Sequence, residues 1–271
     1  MGVLPQAAPS AMNLGAAAHF VARWYSVPLV LVVWEALSRS GTVSRRLMPS
    51  LVEIAEASWA ALASGDLLFH AGISLTRAFT GYALAIVGGI LLGVAMARSR
   101  LFDALFEPLF SFGYPVPKIA LYPIFILVFG FGSLSKVTLI FLECLYPITV
   151  NAFYGMRSVD RVHVWAARNM GASERQIFWR VMLPGAAPQI FAGLRIALPI
   201  SMIVVIITEM IGESRGLGYY IHDSSAAFEY ARSFAGVAAV AVIGFTLDRV
   251  LVGLRNRLIF WERGTAFIGA G

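Results

Sequence analysis

VWAARNMGASERQIFWRVMLP, Val164 to Pro184, is a short arginine-rich stretch set between long apolar runs. Asp160 can cap a first helix holding Trp165, Ala166 and Ala167, because its carboxylate can accept the free N–H groups of the first turn. Gly171 ends that helix, glycine being the residue that most readily takes the left-handed conformation past a C-terminus. Ser173 and Gln176 have the spacing of a capping box for a second helix, whose apolar side is Ile177, Phe178, Val181 and Met182 and which stops at Pro184. The spacing therefore predicts two short helices joined at a glycine. Periodicity alone fits an interfacial connector as well as it fits a surface made for a partner.

The rest of the chain says where this stretch lies. Of 271 residues, 59% are hydrophobic and 13% charged, with a mean hydropathy of +0.77. Soluble domains carry roughly a quarter charged residues, so the composition is that of an integral membrane protein. The net charge of +6 does not imply nucleic acid, because the basic residues sit mainly at the ends of apolar runs and not among aromatics. Cys144, the single cysteine, excludes an internal disulfide and lies in an apolar run as a small core residue. The first residues lack the basic and apolar regions of a cleaved signal peptide.

A helix needs about 20 apolar residues to cross the hydrocarbon core, and on that measure the chain holds six candidate spans. They are Tyr25 to Ser38, Ala78 to Ala97, Leu109 to Phe131 (broken by Pro115, Pro117, Lys118 and Pro123), Val137 to Met156, Gln189 to Gly212 and Ser233 to Leu254. The expected fold is all-α, with residues 24–262 as the transmembrane domain, tails at 1–23 and 263–271, and a polar loop at 157–188. With the N-terminus in the cytoplasm, the arginines of the tails and of that loop outnumber those outside, as the positive-inside rule requires. Arg39, Arg45, Arg46 and Arg77 fall in the first outside loop against the rule. Leu51 to Ala63 in that loop is amphipathic and is expected to lie along the surface. Gly81, Ala85, Gly89 and Gly93 recur every four residues, a stripe that lets helices approach closely within one subunit or between two.

A resemblance bears on the loop. Ala166-Ala167, three residues, Gly171, nine residues and Val181-Met-Leu183-Pro184 resemble the cytoplasmic signature of the permease subunits of binding-protein-dependent ATP-binding-cassette importers. Pro115 to Pro123, Phe129 to Gly132, Tyr146 to Asn151, Gly155 to Asp160 and Gly216 to Tyr219 are similar to the nitrate, sulfonate and taurine branch, and the likeness runs from about Trp34 to Glu262. Trp165 stands where that family usually has glutamate, and Val181 stands for isoleucine.

The resemblance implies a type I importer permease fold in a bacterial inner membrane, with both termini cytoplasmic. The loop would be a coupling helix that docks on a separate cassette ATPase, with Trp165, Ala166, Ala167, Gly171, Val181, Leu183 and Pro184 as the coupling residues. ATP and magnesium would be bound by that ATPase, leaving this chain without cofactor, metal or catalytic residues. An extracytoplasmic solute-binding protein, a second permease copy and membrane lipid complete the implied partners. The solute would be nitrate, an alkanesulfonate, taurine or a similar anion, or alternatively a neutral vitamin precursor such as hydroxymethylpyrimidine.

An ionisable residue inside a span suggests function by default. Glu209 either pairs with a basic group or, on the family likeness, lines the pathway near an outer gate. Glu143 carries the same two readings. Lys118, after Pro117, sits in broken backbone that is tolerated only against a cavity or buried in protein, where it would attract an anion, neutralise Glu143 or snorkel to an interface. An enzyme is disfavoured, since the histidines are scattered and neither H-E-x-x-H, G-x-S-x-G nor a phosphate-binding G-x-x-x-x-G-K-[ST] loop occurs. A secondary transporter or channel, the remaining rival, would have no use for the 157–188 loop.

Overall fold

The computed structural model describes residues 25–44, 46–113 and 116–261. The expected tails at 1–23 and 263–271, with Arg45 and Pro115, lie outside the described residues. In chain order come α1 (Ser26–Ser40), α2 (Leu51–Ala63), α3 (Asp66–Arg98), α4 (Arg100–Gly113), a 3-10 turn (Lys118–Leu121) and α5 (Tyr122–Phe129). Next are α6 (Ser133–Arg157), α7 (Arg161–Asn169), α8 (Glu174–Ile177), a π turn (Phe178–Met182), α9 (Leu183–Glu209), α10 (Leu217–Ala226) and α11 (Tyr230–Leu258).

Four of these segments are long and apolar enough to cross a bilayer: α3, α6, the run Glu174–Glu209 and α11. The Pro-broken candidate is a fifth only if α4 and the Lys118–Phe129 segment, which meet at 88°, count together. The sixth candidate forms α1, which among the described residues has 15 residues, about 22 Å at 1.5 Å per residue, against a hydrocarbon core of about 30 Å. α1 is tied to the start of α2, with Trp34 Nε1 donating to Pro49 O (3.1 Å) and Leu51 N donating to Glu35 Oε2 (2.8 Å). Leu51–Ala63 forms a helix, started by a capping box of Ser50 and Glu53.

α6 is the central helix, clasped between α3 and α9. The small-residue stripe of α3 is buried against α6, which resolves its use in favour of packing within the subunit. A Cβ on Gly93 would lie 2.5 Å from Thr149 O, and one on Gly193 2.9 Å from Pro147 O, so no larger residue fits either approach. Between the three helices Ala85, Leu139, Ile140, Cys144, Ile148 and Ala197 are sealed from solvent. Outward-facing Leu84, Val87, Leu91, Val242 and Phe245 are exposed, as expected of surfaces that meet lipid tails.

α10 ends on an uncommon residue. Phe228 has φ +61° where glycine is usual, and the residue is 76% exposed. A left-handed conformation costs an L side chain about 1–2 kcal/mol, part of which glycine returns as chain entropy. Phe228→Gly is therefore expected to stabilise the fold by about 0.5–1 kcal/mol, read as a higher melting temperature in detergent. A lower one would show that the exposed ring contributes to the fold.

Candidate functional site

The loop between α6 and α9 folds largely as its sequence dictates. Asp160 Oδ1 accepts from Val162 N (2.8 Å) and starts α7. Gly171 has φ +79°; its N–H donates to Arg168 O (2.9 Å) and that of Ala172 to Ala167 O (3.0 Å), the paired bonds of a Schellman stop. Ser173 and Gln176 form the reciprocal capping box that starts α8.

The second helix, however, does not stop at Pro184. It runs unbroken from Glu174 to Glu209 for 36 residues. Pro184 lacks an N–H, and in a regular helix its ring would collide with the carbonyl four residues earlier. Here the turn just before it is widened into a π turn over Phe178–Met182, closed by the Leu183 N–H bonding Phe178 O, and the helix continues past the proline. The second half of the loop, from Glu174, is thus continuous with a membrane span.

Its residues divide by face. Ala167 is buried, while Val181, Leu183 and Pro184 are half-buried at the root of α9. Trp165 (57% exposed), Ala166 and Gly171 face outward beside Met170, and the space around Gly171 is open. Two nearby arginines have partners within the chain: Arg168 pairs with Glu174 (2.9 Å) and Arg157 with Asp103 (2.7 Å). A groove of about 650 Å³ runs beside Trp165, lined also by Arg157, Arg161 and Arg168.

Pro117, Lys118 and Glu143 come together around a second feature, a cavity of about 410 Å³ between the broken segment, α6 and α9. Tyr146, Asn151, Ile196 and Ile200 are also in its wall. Lys118 Nζ is 3.9 Å from Glu143 Oε2 and 5.7 Å from the Tyr146 ring centre. Asn151 is held by Pro147 O, to which it donates (2.7 Å), and by Gln189, from which it accepts (2.8 Å).

Glu209 does not join that cavity. It is fully buried at the end of α9 opposite the loop, where Oε1 accepts from Arg77 (2.9 Å) and Oε2 from Ser74 (2.6 Å) and Gly218 N (3.1 Å). Arg77 also donates to Ser133, Glu213 and the carbonyl of Arg215, and Lys136 closes the cluster on Glu213 (2.7 Å) and Phe131 O (2.7 Å). Two cations meet two carboxylates, and α3, α6, α9 and the start of α10 are bound together. Burial opposes a charge on Glu213, yet the Lys136 hydrogen bond and the Lys136 and Arg77 charges outweigh it, holding its carboxyl below the ordinary 4.5. Gly216 has to be glycine because a Cβ there would lie 2.3 Å from the Glu209 carboxyl. Of the two readings of Glu209, this geometry is that of a paired carboxylate.

Residues 85–259, more than half of the chain and including the whole loop, match the model of the family described as "Binding-protein-dependent transport system inner membrane component". The chain belongs to this family. It is 32% identical over 242 residues, 88% of each chain, to the taurine transport system permease protein TauC of Escherichia coli (strain K12). It is equally similar, 32% over 234 residues (86% of this chain and 85% of the relative), to the putative aliphatic sulfonates permease SsuC of Bacillus subtilis (strain 168). The formylaminopyrimidine transport permease ThiX of Halalkalibacterium halodurans is 32% identical over 237 residues, covering 87% and 93% of the two chains. In fold, the chain is like an inward-facing MetNI methionine ABC transporter chain, with a TM-score of 0.57, 17% identity and coverage of 68% and 92%. The protein is thus a membrane-embedded ABC importer permease of the taurine and sulfonate branch, and family membership implies ATPase and solute-binding-protein partners.

Proposed function

We propose that two copies of this chain form the pore of an importer for a small organic sulfonate or related polar solute, driven by two cassette ATPases that hold the ATP and magnesium and fed by one extracytoplasmic binding protein. The loop and both termini then face the cytoplasm of a bacterial cell, and the Arg77–Glu209 cluster faces outward. The observation that carries this reading is that the exposed Trp165, Ala166 and Gly171 face is joined by a short capped turn to a helix that runs from Glu174 to Glu209 across the bundle, so that a push on that face has a direct route to α9. Ala167, Val181, Leu183 and Pro184 serve the coupling by seating the loop on that helix. The Pro117, Lys118 and Glu143 cavity lies beside the same helix and is the natural place for the solute to pass. A second reading, a neutral pyrimidine-type solute, is favoured by the likeness to the formylaminopyrimidine permease and by the pairing of Lys118 with Glu143.

Reconstitution tests the proposal. Proteoliposomes holding the permease, its ATPase and its binding protein should accumulate solute only with ATP, and permease alone should not. Transport without the ATPase would refute the coupling.

Trp165 supplies a finer check, because a half-exposed indole in place of a carboxylate makes the contact rest on apolar burial. Trp165→Ala should lower transport-stimulated ATP hydrolysis more than Trp165→Glu does, by about 2 kcal/mol of contact energy or roughly 30-fold in affinity for the ATPase. Equal losses in both variants, or none in either, would show that the indole does not anchor the partner.

A further inference from the structure

The Arg77–Glu209 cluster and the Lys118–Glu143 pair are built differently. In the Arg77–Glu209 cluster each charge is saturated: Glu209 accepts three hydrogen bonds, and Lys136 holds a carboxylate and two carbonyls at 2.7–3.4 Å. That is how a buried charge is made tolerable in a structural role. Lys118 and Glu143 face each other across 3.9 Å, beyond the 2.7–2.9 Å of a charge-assisted hydrogen bond. Among the described residues neither side chain hydrogen-bonds anything else, and both keep about a fifth of their surface open on a cavity of about 410 Å³. Among the described residues they are also the only charged ones in its wall. The pair is neutral as a whole and has unused donors and acceptors directed at the same space.

We propose that this pair is a transit site for dipolar solutes, small molecules carrying an acidic group and an ammonium a few bonds apart, with the acid on Lys118 and the ammonium on Glu143. The proposal rests on the importer reading, in which the cavity lies on the solute's path. A dipolar solute exchanges one long ion pair for two short ones and leaves no charge unmatched. A simple anion that takes Lys118 strips Glu143 of the cation it faces among the described residues, inside the membrane, where an unpaired carboxylate is costly. The wall therefore discriminates between solutes of equal size and equal acid group by the presence of the ammonium. The expectation of plain anion attraction by Lys118 gives way to recognition of two charges at once.

Taurine and ethanesulfonate, identical but for the ammonium, are the probes. Uptake of each is measured in proteoliposomes of the complete transporter, with the same binding protein throughout so that its own selectivity cancels between variants. Glu143→Gln should lower the ratio of taurine to ethanesulfonate uptake about tenfold, chiefly through taurine, in line with the loss of one charged hydrogen bond. Retained ethanesulfonate uptake reports that the variant is folded and assembled, and Glu143→Asp should recover part of the ratio. Lys118→Met should depress both probes. A ratio within twofold of wild type, or loss of both probes together in Glu143→Gln, overturns the inference while leaving the importer reading intact. A wild-type transporter that moves neither probe under ATP overturns the sulfonate reading itself, and the inference with it.

Discussion

Glu209→Ala should cost the permease about 3–5 kcal/mol, enough to remove most of the folded protein from the membrane, since whole domains are stable by only about 5–15 kcal/mol. The reason is what the substitution leaves behind. Arg77, whose side chain is 7% exposed, would keep its charge and lose its shortest carboxylate bond, while Ser74 and Gly218 N would lose their acceptor. Glu209→Gln keeps the shape and one acceptor oxygen and should lose somewhat less. The double variant Arg77→Met/Glu209→Gln removes the orphaned cation, and the surviving Lys136–Glu213 pair remains balanced. It should therefore be more stable than the sum of the single losses predicts, a coupling measurable as a double-mutant cycle on thermal unfolding in detergent. Additive losses, or single variants within about 1 kcal/mol of wild type, would mean that the cluster does not bear the helix ends together.

That cluster is the part of the molecule least visible in the sequence. Arg77 stands before an uncharged apolar run and reads as the end of a loop, so the sequence places the start of this span at Ala78, whereas α3 begins at Asp66. What makes the arginine admissible inside a helix is a carboxylate 132 residues away, and nothing local announces that pairing. The loop is legible for the opposite reason. Its cap at Asp160, its stop at Gly171 and its capping box at Ser173 are each closed within six residues, so their chemistry can be read in order along the chain. Only the π turn escapes, because a proline after an apolar helix ordinarily signals an end and the wider turn that accommodates it has no sequence mark. The charged cavity is half legible. The prolines around Lys118 declare a broken backbone, which at membrane depth has to face protein or a cavity, and Glu143 is one of three possible answers to the lysine. That the two stand apart, with room between them, depends on the packing of α6 and α9 and cannot be read from either residue.

Gly171→Arg should abolish ATP-driven uptake while leaving the permease folded. The position is in the left-handed region, so any L residue there carries a local strain of about 1–2 kcal/mol, which falls on a surface turn and not on the bundle. No heavy atom lies within 4 Å of a Cβ placed on Gly171, and the position is exposed, so a longer side chain there starts into open space. The harm is confined to whatever must approach that open surface. A bulky cation wedged beside the Trp165 and Ala166 face would separate the loop from the ATPase, and a lost contact of about 2–4 kcal/mol corresponds to a fall in affinity of roughly 30-fold to nearly 1,000-fold. Gly171→Ala separates the two effects, since it carries the same backbone strain with almost no bulk and should retain most of the coupling. Co-purification of the ATPase with each variant, beside its melting temperature, provides the reading. If arginine and alanine impair assembly alike, strain in the turn is responsible. If arginine leaves the ATPase bound, the partner does not come to this face, and the force that moves α9 has to enter the membrane domain elsewhere.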